Sequence, residues 1–353
     1  MNWMLSLTLA VSVFVAAWAV TGLYLRYALK MRLLDIPNER SSHTFATPRG
    51  GGVGFIVTSL SGFVGLGCFG WMNWSAVVAL TTSGVLVALV GYFDDRQPIP
   101  PRWRLLVHFA AAACVLGWLR GMPDISLGGI VLFVGWSGYV MGAFFLVWVL
   151  NLTNFMDGID GLAAVEAISV FAGGVVLYWT TVAGTDHWIG PLVLVFAIMG
   201  FLWWNWPPAK IFMGDVGSGF LGLMMGALSL EAGWTIPALF WSWLILLGVF
   251  VVDATVTLLR RVAHAENIFQ PHRSHAYQHL ARRLGQHQAV TIIVAAINWF
   301  WLFPIAFCVA KGWLGGLTGV SIAYSPLVAV VIWLKAGRPD TSYTEHNLLR
   351  HND

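Results

Sequence analysis

The residues that could do chemistry lie in short polar segments, each beside a long hydrophobic run. The clearest segment reads Asn151-Leu-Thr-Asn154-Phe-Met-Asp157-Gly-Ile-Asp160-Gly. Burying a carboxylate at a membrane is costly, so such groups favour a functional site over a purely structural role. Asp157 and Asp160 are three positions apart and would share one face if the segment is helical. The amides of Asn151 and Asn154 suit hydrogen bonds to a nucleobase or a phosphate.

A second segment, Gly91-Tyr-Phe-Asp94-Asp95-Arg96, ends the third hydrophobic run. Adjacent carboxylates repel each other, which raises the pKa of one of them unless a cation bridges the pair. The pair therefore suits either Mg²⁺ or a general base that takes a proton from an acidic hydroxyl. An ordinary helix end with solvated charges is the alternative.

A third segment, Phe212-Met-Gly-Asp215-Val-Gly-Ser, precedes the eighth run. The glycines on both sides of Asp215 suit a carboxylate that faces a metal from a tight turn. A role as the N-cap of the next helix is the alternative for this aspartate. Phe212 suits stacking on a planar base, or else simple core packing.

Two loops suit phosphate binding. The first contains Pro48-Arg49-Gly50-Gly51-Gly52, where backbone N–H groups and the Arg49 guanidinium favour phosphate, although a small-residue helix interface fits equally well. The second reads His272-Arg273-Ser-His275-Ala-Tyr277-Gln-His279. Arg273 suits forked contacts to phosphate oxygens. A zinc site is the weaker alternative, because no carboxylate or cysteine lies close in sequence.

The hydrophobic runs on either side of these polar segments predict the fold that positions them. The 353 residues are 58% hydrophobic and 10% charged, against about 25% charged in soluble proteins. We therefore predict one all-α polytopic membrane domain over 1–353, with about eleven transmembrane helices and no nucleic-acid partner. The runs centre on 4–25, 51–70, 74–93, 104–120, 127–150, 161–180, 187–204, 217–231, 235–258, 290–310 and 314–335. Asp253, inside the ninth run, would pair with a cation, line a cavity or orient a ligand.

The basic residues predict the orientation. The alternate segments 26–50, 94–104, 205–217, 259–289 and 335–353 hold 17 of the 19 Lys and Arg residues. The positive-inside rule places these segments, and with them the polar clusters, in the cytoplasm. The N-terminus is then periplasmic and the C-terminus cytoplasmic. We interpret the first run as an uncleaved anchor, since no basic residue precedes it.

Taken together, the segments resemble those of the polyprenyl-phosphate N-acetylhexosamine-1-phosphate transferases, glycosyltransferase family 4. Four ordered motifs carry the resemblance over nearly the whole chain: Phe93-Asp94-Asp95, Asn154-Phe-Met-Asp157-Gly-Ile-Asp160-Gly, Phe212-Met-Gly-Asp215-Val-Gly-Ser and Arg273-Ser-His275-Ala-Tyr277. The family transfers an N-acetylhexosamine-1-phosphate from a UDP-sugar to undecaprenyl phosphate with Mg²⁺ or Mn²⁺, and releases UMP. The resemblance implies a multi-pass protein of the bacterial inner membrane with its active site on the cytoplasmic face. A homodimer is also compatible with it.

The resemblance also implies roles for individual residues. Asp215 would bind the metal, and Asp94, Asp95 and Asp157 would be catalytic, with Asp94 the candidate base. The substrate-binding residues implied are Asn154, Asp160, Asn205, Phe212, Arg273, His275 and Arg49, of which Asp160, Asn205 and Phe212 would hold the uracil. Direct attack by the lipid phosphate is the preferred mechanism, and a covalent aspartyl-phosphate is the alternative.

Two departures bear on specificity. Tyr277 stands where the O-antigen-initiating branch carries its second histidine, which leaves the role of Tyr277 and the identity of the sugar open. Thr44 stands where the peptidoglycan translocase carries a lysine, so Arg49 or His43 would take that place. The pattern favours initiation of lipopolysaccharide O-antigen. The rival interpretations are a secondary transporter that uses intramembrane carboxylates and an inactive lipid-binding homologue.

Overall fold

The computed structural model describes residues 3–37, 45–127, 130–182, 184–266 and 273–338. His43, Thr44 and His272, which the sequence analysis named, lie outside them. The helices are α1 Trp3–Lys30, α2 Gly52–Cys68, α3 Trp74–Asp94, α4 Pro101–Leu119, α5 Ser137–Met156, α6 Leu162–Thr181, α7 Ile189–Asn205, α8 Asp215–Thr235, α9 Pro237–Leu246, α10 Gly248–Ala263, α11 Ala276–Leu284, α12 His287–Ile297, α13 Phe303–Ala310 and α14 Gly316–Trp333. A π-helical turn, Asn298–Leu302, joins α12 to α13.

Each predicted apolar run coincides with one helix or with consecutive helices, which confirms the all-α membrane architecture. A helix satisfies its own backbone hydrogen bonds, and that is the requirement hydrocarbon imposes on a spanning segment. Within the described residues, eight helical segments are long and apolar enough to cross a membrane, or nine if α9 and α10, bent by 68°, form one span. The helices α2 and α7 have 17 residues each, which is shorter than the roughly 20 residues of a typical spanning helix. The count of eleven spans and the orientation stay predictions.

Two short hairpins and one surface helix were not predicted. Strands β1 (Leu34–Asp35) and β2 (Thr47–Pro48) pair antiparallel, as do β3 (Ile125–Leu127) and β4 (Ile130–Leu132). The second hairpin occupies the start of the predicted run 127–150, which is rich in β-branched residues, so that α5 begins only at Ser137. The helix α11 lies in the segment that the sequence analysis interpreted as a loop.

The eighth run, the shortest of the predicted ones, forms the central helix of the bundle. The hydrophobic window of α8 is 94% buried, and glycines let its neighbours approach closely. A Cβ on Gly91 of α3 would lie 2.5 Å from the Asp215 carbonyl oxygen, and one on Gly222 would lie 2.6 Å from the Leu150 Cα of α5. Small residues thus set backbone-to-backbone contacts between helices. They bring the C-terminal ends of α3 and α5 to the N-terminus of α8.

Candidate active site

Asp95 caps the N-terminus of α8 from a neighbouring helix. Its two carboxylate oxygens accept hydrogen bonds from the backbone N–H groups of Asp215 (3.1 Å) and Val216 (3.3 Å), which have no partner inside their own helix. The N-cap position is held by Gly214, with φ +78°, and a Cβ there would lie 2.4 Å from an Asp95 oxygen. The alternative of Asp215 as an N-cap is therefore wrong. Its side chain is left to face the site.

Arg104, in the first turn of α4, bridges two of the carboxylates. Its Nη1 donates to Asp94 Oδ2 and lies 3.3 Å from Asp215 Oδ2. The second oxygen of Asp94 accepts the Ile99 N–H at 2.6 Å. The sequence analysis counted Arg104 only as a charge in a basic loop, because nothing in its local sequence marks it. The fold places it where its charge offsets that of Asp94 and Asp215.

Asn154 connects α5 to the same cluster. Its Nδ2 donates to Asp215 Oδ1 (3.0 Å) and to Ser218 Oγ (2.9 Å). Asp215 is thus contacted from α4 and from α5, and its orientation is fixed before any ligand binds. The binding of substrate by Asn154 stays a prediction.

Asp157 lies just beyond the end of α5, which stops at Met156. The segment is therefore not helical here, and Asp157 and Asp160 do not share a helical face. Burial, followed by the charges of Asp215, Asp95 and Asp160, raises the pKa of Asp157 well above its ordinary value. Burial also raises the pKa of Asp95 to about 6, against the hydrogen bonds it accepts. The raised pKa values mean that negative charge is unfavourable in this cluster of carboxyl groups. A bound cation would offset that charge.

The donor chemistry of this cluster fits a divalent cation such as Mg²⁺. Carboxylate and amide oxygens from Asp94, Asp95, Asn154 and Asp215 are hard ligands. Across the described ranges, no group of three or more His, Cys, Asp or Glu side chains forms a ready-made metal cage. Mg²⁺ is characteristically bound by one or two carboxylates together with substrate phosphates.

A cleft of about 440 Å³ is lined by two of the three residues that were assigned to the uracil. Asp160 and Phe212 line it, together with Pro207 and His287. Asp160 accepts the Ala209 N–H at 3.0 Å and lies 3.3 Å from His287 Nδ1. His287, the first residue of α12, therefore contacts this cleft, and the sequence analysis did not single it out.

Asn205 is buried, and its amide serves the backbone around this cleft. Its Oδ1 accepts the Gly161 N–H (3.0 Å) and its Nδ2 donates to the Ile211 carbonyl (2.9 Å). It holds the turn that carries Asp160 against the segment that carries Phe212. Its contact with a nucleotide stays a prediction.

Asp253 connects α10 to the segment of His275 and Tyr277. This carboxylate is 3% exposed and accepts the backbone N–H groups of Ala276 (2.9 Å) and Tyr277 (3.0 Å). His275 Nδ1 lies 3.3 Å from it. Asp253 thus has a structural role that the sequence analysis did not predict: it caps α11 and holds the ring of His275.

Tyr277 reaches back to α5, where its hydroxyl donates to the Phe155 carbonyl at 3.1 Å. A Cβ on Gly158 would lie only 2.1 Å from that hydroxyl oxygen. The absence of a side chain at Gly158 therefore makes room for the tyrosine. Burial, with the charges of Asp253 and Asp157, raises the pKa of Tyr277 well above its ordinary value, so the hydroxyl stays protonated and acts as a donor.

Arg49 and the glycines after it pack against α8. The Arg49 guanidinium donates to the Asp95 carbonyl oxygen. The N–H groups of Gly51 and Gly52 donate to the carbonyls of Phe212 and Met213, and so they are not directed at a phosphate. The small-residue interface is the interpretation that the structure supports for these glycines. Arg273 lies just before α11, where its carbonyl accepts from Arg282, and phosphate binding by Arg49 and Arg273 stays a prediction.

Comparison with known proteins gives consistent matches. The family described as Glycosyl transferase family 4 matches residues 77–233. A Bacillus subtilis protein named probable undecaprenyl-phosphate N-acetylglucosaminyl 1-phosphate transferase is 28% identical, over 83% of this chain and 81% of its own length. A decaprenyl-phosphate N-acetylglucosaminephosphotransferase of Mycolicibacterium smegmatis is 28% identical over 92% and 88%. A phospho-N-acetylmuramoyl-pentapeptide-transferase of Streptococcus pneumoniae is 31% identical over 62% and 68%.

Proposed function

This chain belongs to the polyprenyl-phosphate hexosamine-1-phosphate transferase superfamily, and on that premise we propose that it transfers an N-acetylhexosamine-1-phosphate from a UDP-sugar to undecaprenyl phosphate. It is a multi-pass protein of the bacterial inner membrane. The observation that carries the proposal is the meeting of Asp94, Asp95, Asn154, Asp157 and Asp215 at the ends of three helices. The helices α3, α5 and α8 have 21, 20 and 21 residues, long enough to span the hydrocarbon layer. Their ends therefore lie at a membrane boundary, whereas a transporter requires a site near the midplane.

The proposed reaction is a single displacement. An oxygen of the lipid phosphate forms a bond to the β-phosphorus that carries the sugar. The bond from that phosphorus to the bridging oxygen breaks, and UMP leaves with the electron pair. Phosphoryl transfer depends mainly on positioning and on offsetting negative charge. Mg²⁺, held by Asp215 with oxygens of Asp95 or Asn154, would supply part of that positive charge.

The chain's own residues would divide the remaining work. Asp94, held by Arg104 and the Ile99 N–H, would orient the lipid phosphate or take its last proton. Burial beside Asp215 and Asp95 raises the pKa of Asp157 well above its ordinary value, so it binds a proton more readily than an ordinary carboxylate does. Asp157 is therefore the second candidate for the proton.

The substrate groups would occupy the two flanks of the carboxylate cluster. The cleft of Asp160, Phe212 and His287 has the size and the aromatic wall for a uracil, since pockets for small ligands enclose a few hundred Å³. On the other flank, Arg273 and His275 would face the diphosphate or the sugar. The relatives' names include two sugar types, N-acetylglucosaminyl and phospho-N-acetylmuramoyl-pentapeptide. We propose that the glycan is O-antigen because of the Arg273–Tyr277 pattern. A cell-wall polymer is the alternative.

The test uses the purified protein, undecaprenyl phosphate, Mg²⁺ and a panel of UDP-N-acetylhexosamines. We expect UMP release and a lipid-linked sugar that are both lost with EDTA and with Asp215→Ala. Exchange of labelled UMP into UDP-sugar without lipid would favour the covalent aspartyl-phosphate instead. Thermal unfolding of Asp215→Ala must match the parent protein for its loss of activity to count. No UMP from any sugar with folded protein would refute the proposed reaction.

A further inference from the structure

A second and larger cavity lies at the opposite end of the helix bundle, with a volume of about 620 Å³. It is lined by the last turns of α8, including Glu231, Trp234 and Thr235, whereas Asp215 is the first residue of that helix. A helix of 21 residues is about 32 Å long, roughly the thickness of the hydrocarbon layer. The cavity therefore lies at the other membrane–water boundary, far from the carboxylate cluster.

One wall of this cavity is acidic and rigid. Glu231 accepts the Tyr178 hydroxyl at 2.9 Å, and its other oxygen lies 2.7 Å from His187 Nδ1. The rings of Tyr178 and His187 stack with their centroids 5.7 Å apart. Asp186 adds a second carboxylate to the lining. This network fixes the Glu231 carboxylate at the cavity wall, where its side chain keeps 15% of its exposure.

Three tryptophans, Trp71, Trp118 and Trp234, form much of the remaining surface. The indole of Trp234 is fixed by a hydrogen bond from its Nε1 to the Gly121 carbonyl at 3.0 Å. Indole faces attract cations, and tryptophan is common at the headgroup level of membranes. Carboxylates beside indole faces form a suitable environment for an ammonium group.

Arg120 brings the opposite charge to the same cavity. It ends α4 in the left-handed conformation, with φ +59°, at a position where glycine is the usual residue. A non-glycine residue in this conformation is strained, because its Cβ comes close to the following carbonyl oxygen. Among the residues that the structure describes, none forms a salt bridge with Arg120. Its guanidinium is suited to the oxygens of a phosphate.

We propose that this cavity binds the zwitterionic headgroup of an amine-bearing phospholipid such as phosphatidylethanolamine. The ammonium lies against Asp186, Glu231 and the indole faces, and the phosphate contacts Arg120. The charges are complementary in both parts, and the location at a membrane boundary supplies this headgroup at high local concentration. The site is independent of the transferase reaction proposed above, so each can fail without the other.

The experiment compares lipids that remain bound to the purified full-length protein in native mass spectrometry. The protein in detergent is incubated with equal amounts of phosphatidylethanolamine and phosphatidylglycerol, which share a phosphate and differ in the ammonium. The test variant is Arg120→Gly, because glycine keeps the left-handed turn without strain. The matched control is Arg32→Gly, since Arg32 also has a positive φ, +55°, but follows α1, at the end of the bundle near the carboxylate cluster.

We expect the parent protein and Arg32→Gly to retain phosphatidylethanolamine in preference to phosphatidylglycerol. Arg120→Gly should retain about tenfold less of it, which corresponds to the loss of one charge-assisted contact. If Arg120→Gly is not stably folded, Glu231→Gln replaces it and should abolish the preference between the two lipids. Equal retention of both lipids by the parent protein, or unchanged retention in the cavity variant, would overturn the proposal. Displacement of the lipid by N,N′-diacetylchitobiose would overturn it in favour of a saccharide site.

Discussion

Replacing Asp253 by asparagine tests whether α11 must be capped from α10 for the active site to work. The carboxylate accepts two backbone N–H groups of α11 and contacts the ring of His275. Thr257 adds a further hydrogen bond at 3.1 Å. Asparagine has the same shape but offers one acceptor, and its amide N–H₂ would face a donor.

The magnitude follows from these contacts. A hydrogen bond to a charged group contributes about 1.5–3 kcal/mol, and the substitution removes the charge from both capping bonds and leaves one N–H of α11 without an acceptor. A loss of about 3 kcal/mol is therefore expected for the placement of α11 and His275. If that placement is required in the transition state, kcat/KM falls about 150-fold.

The assay is UMP release at several concentrations of UDP-sugar and of undecaprenyl phosphate. The matched control is Glu266→Gln, which changes a carboxylate just after α10 that pairs with Arg261 and is 23% exposed. The hydrogen bonds that hold the start of α11 come from Asp253 and not from Glu266, so this variant should keep its activity within about threefold of the parent. An Asp253→Asn protein with the same kcat/KM as Glu266→Gln would refute the reasoning.

Three further predictions concern the carboxylate cluster and its neighbours. Arg104→Gln should lower kcat/KM by about 30-fold, because about 2 kcal/mol of charge-assisted bonding to the cluster is lost, whereas Arg102→Gln should leave the activity unchanged in the same assay. Gly158→Ala should reduce activity because the new Cβ meets the Tyr277 hydroxyl at 2.1 Å. Adding Tyr277→Phe should restore part of that activity, and no recovery in the double variant would contradict the steric explanation. Because burial raises the pKa of Asp95 from 3.8 to about 6, its ionisation opposes folding of the metal-free protein. The Asp95 contribution to the free energy of unfolding is therefore present at low pH and lost as the pH rises through about 6. In thermal melts with EDTA, Asp95→Asn should remove this part of the pH dependence, and Mg²⁺ should stabilise the parent protein more at about pH 7.5 than at about pH 5.

Features that depend on local sequence could be predicted. Hydrophobic runs specify helices in a membrane whatever their neighbours are, because backbone groups in hydrocarbon must be satisfied within the segment. The acidic motifs at Asp94, Asp157 and Asp215 were found for a related reason. Placing a carboxylate beside an apolar run costs free energy wherever the helix finally packs. Its presence in the sequence therefore indicates a functional role.

Contacts between distant segments needed the tertiary structure. Arg104 is an ordinary basic residue in sequence, and only the packing of α4 on α3 and α8 places it between Asp94 and Asp215. The role of Asp253 depends in the same way on where α11 lies.

The segment 157–160 shows the limit of local patterns, because Asp157 follows the end of α5 and Gly158 makes room for Tyr277. A glycine leaves space beside the backbone, but the sequence does not say whether a ligand or a side chain such as Tyr277 fills that space. The sequence by itself therefore determined the membrane class, the family and the set of acidic residues. Only the tertiary structure decided which groups pair, because hydrogen bonds and charges act over a few ångströms in space and not along the chain.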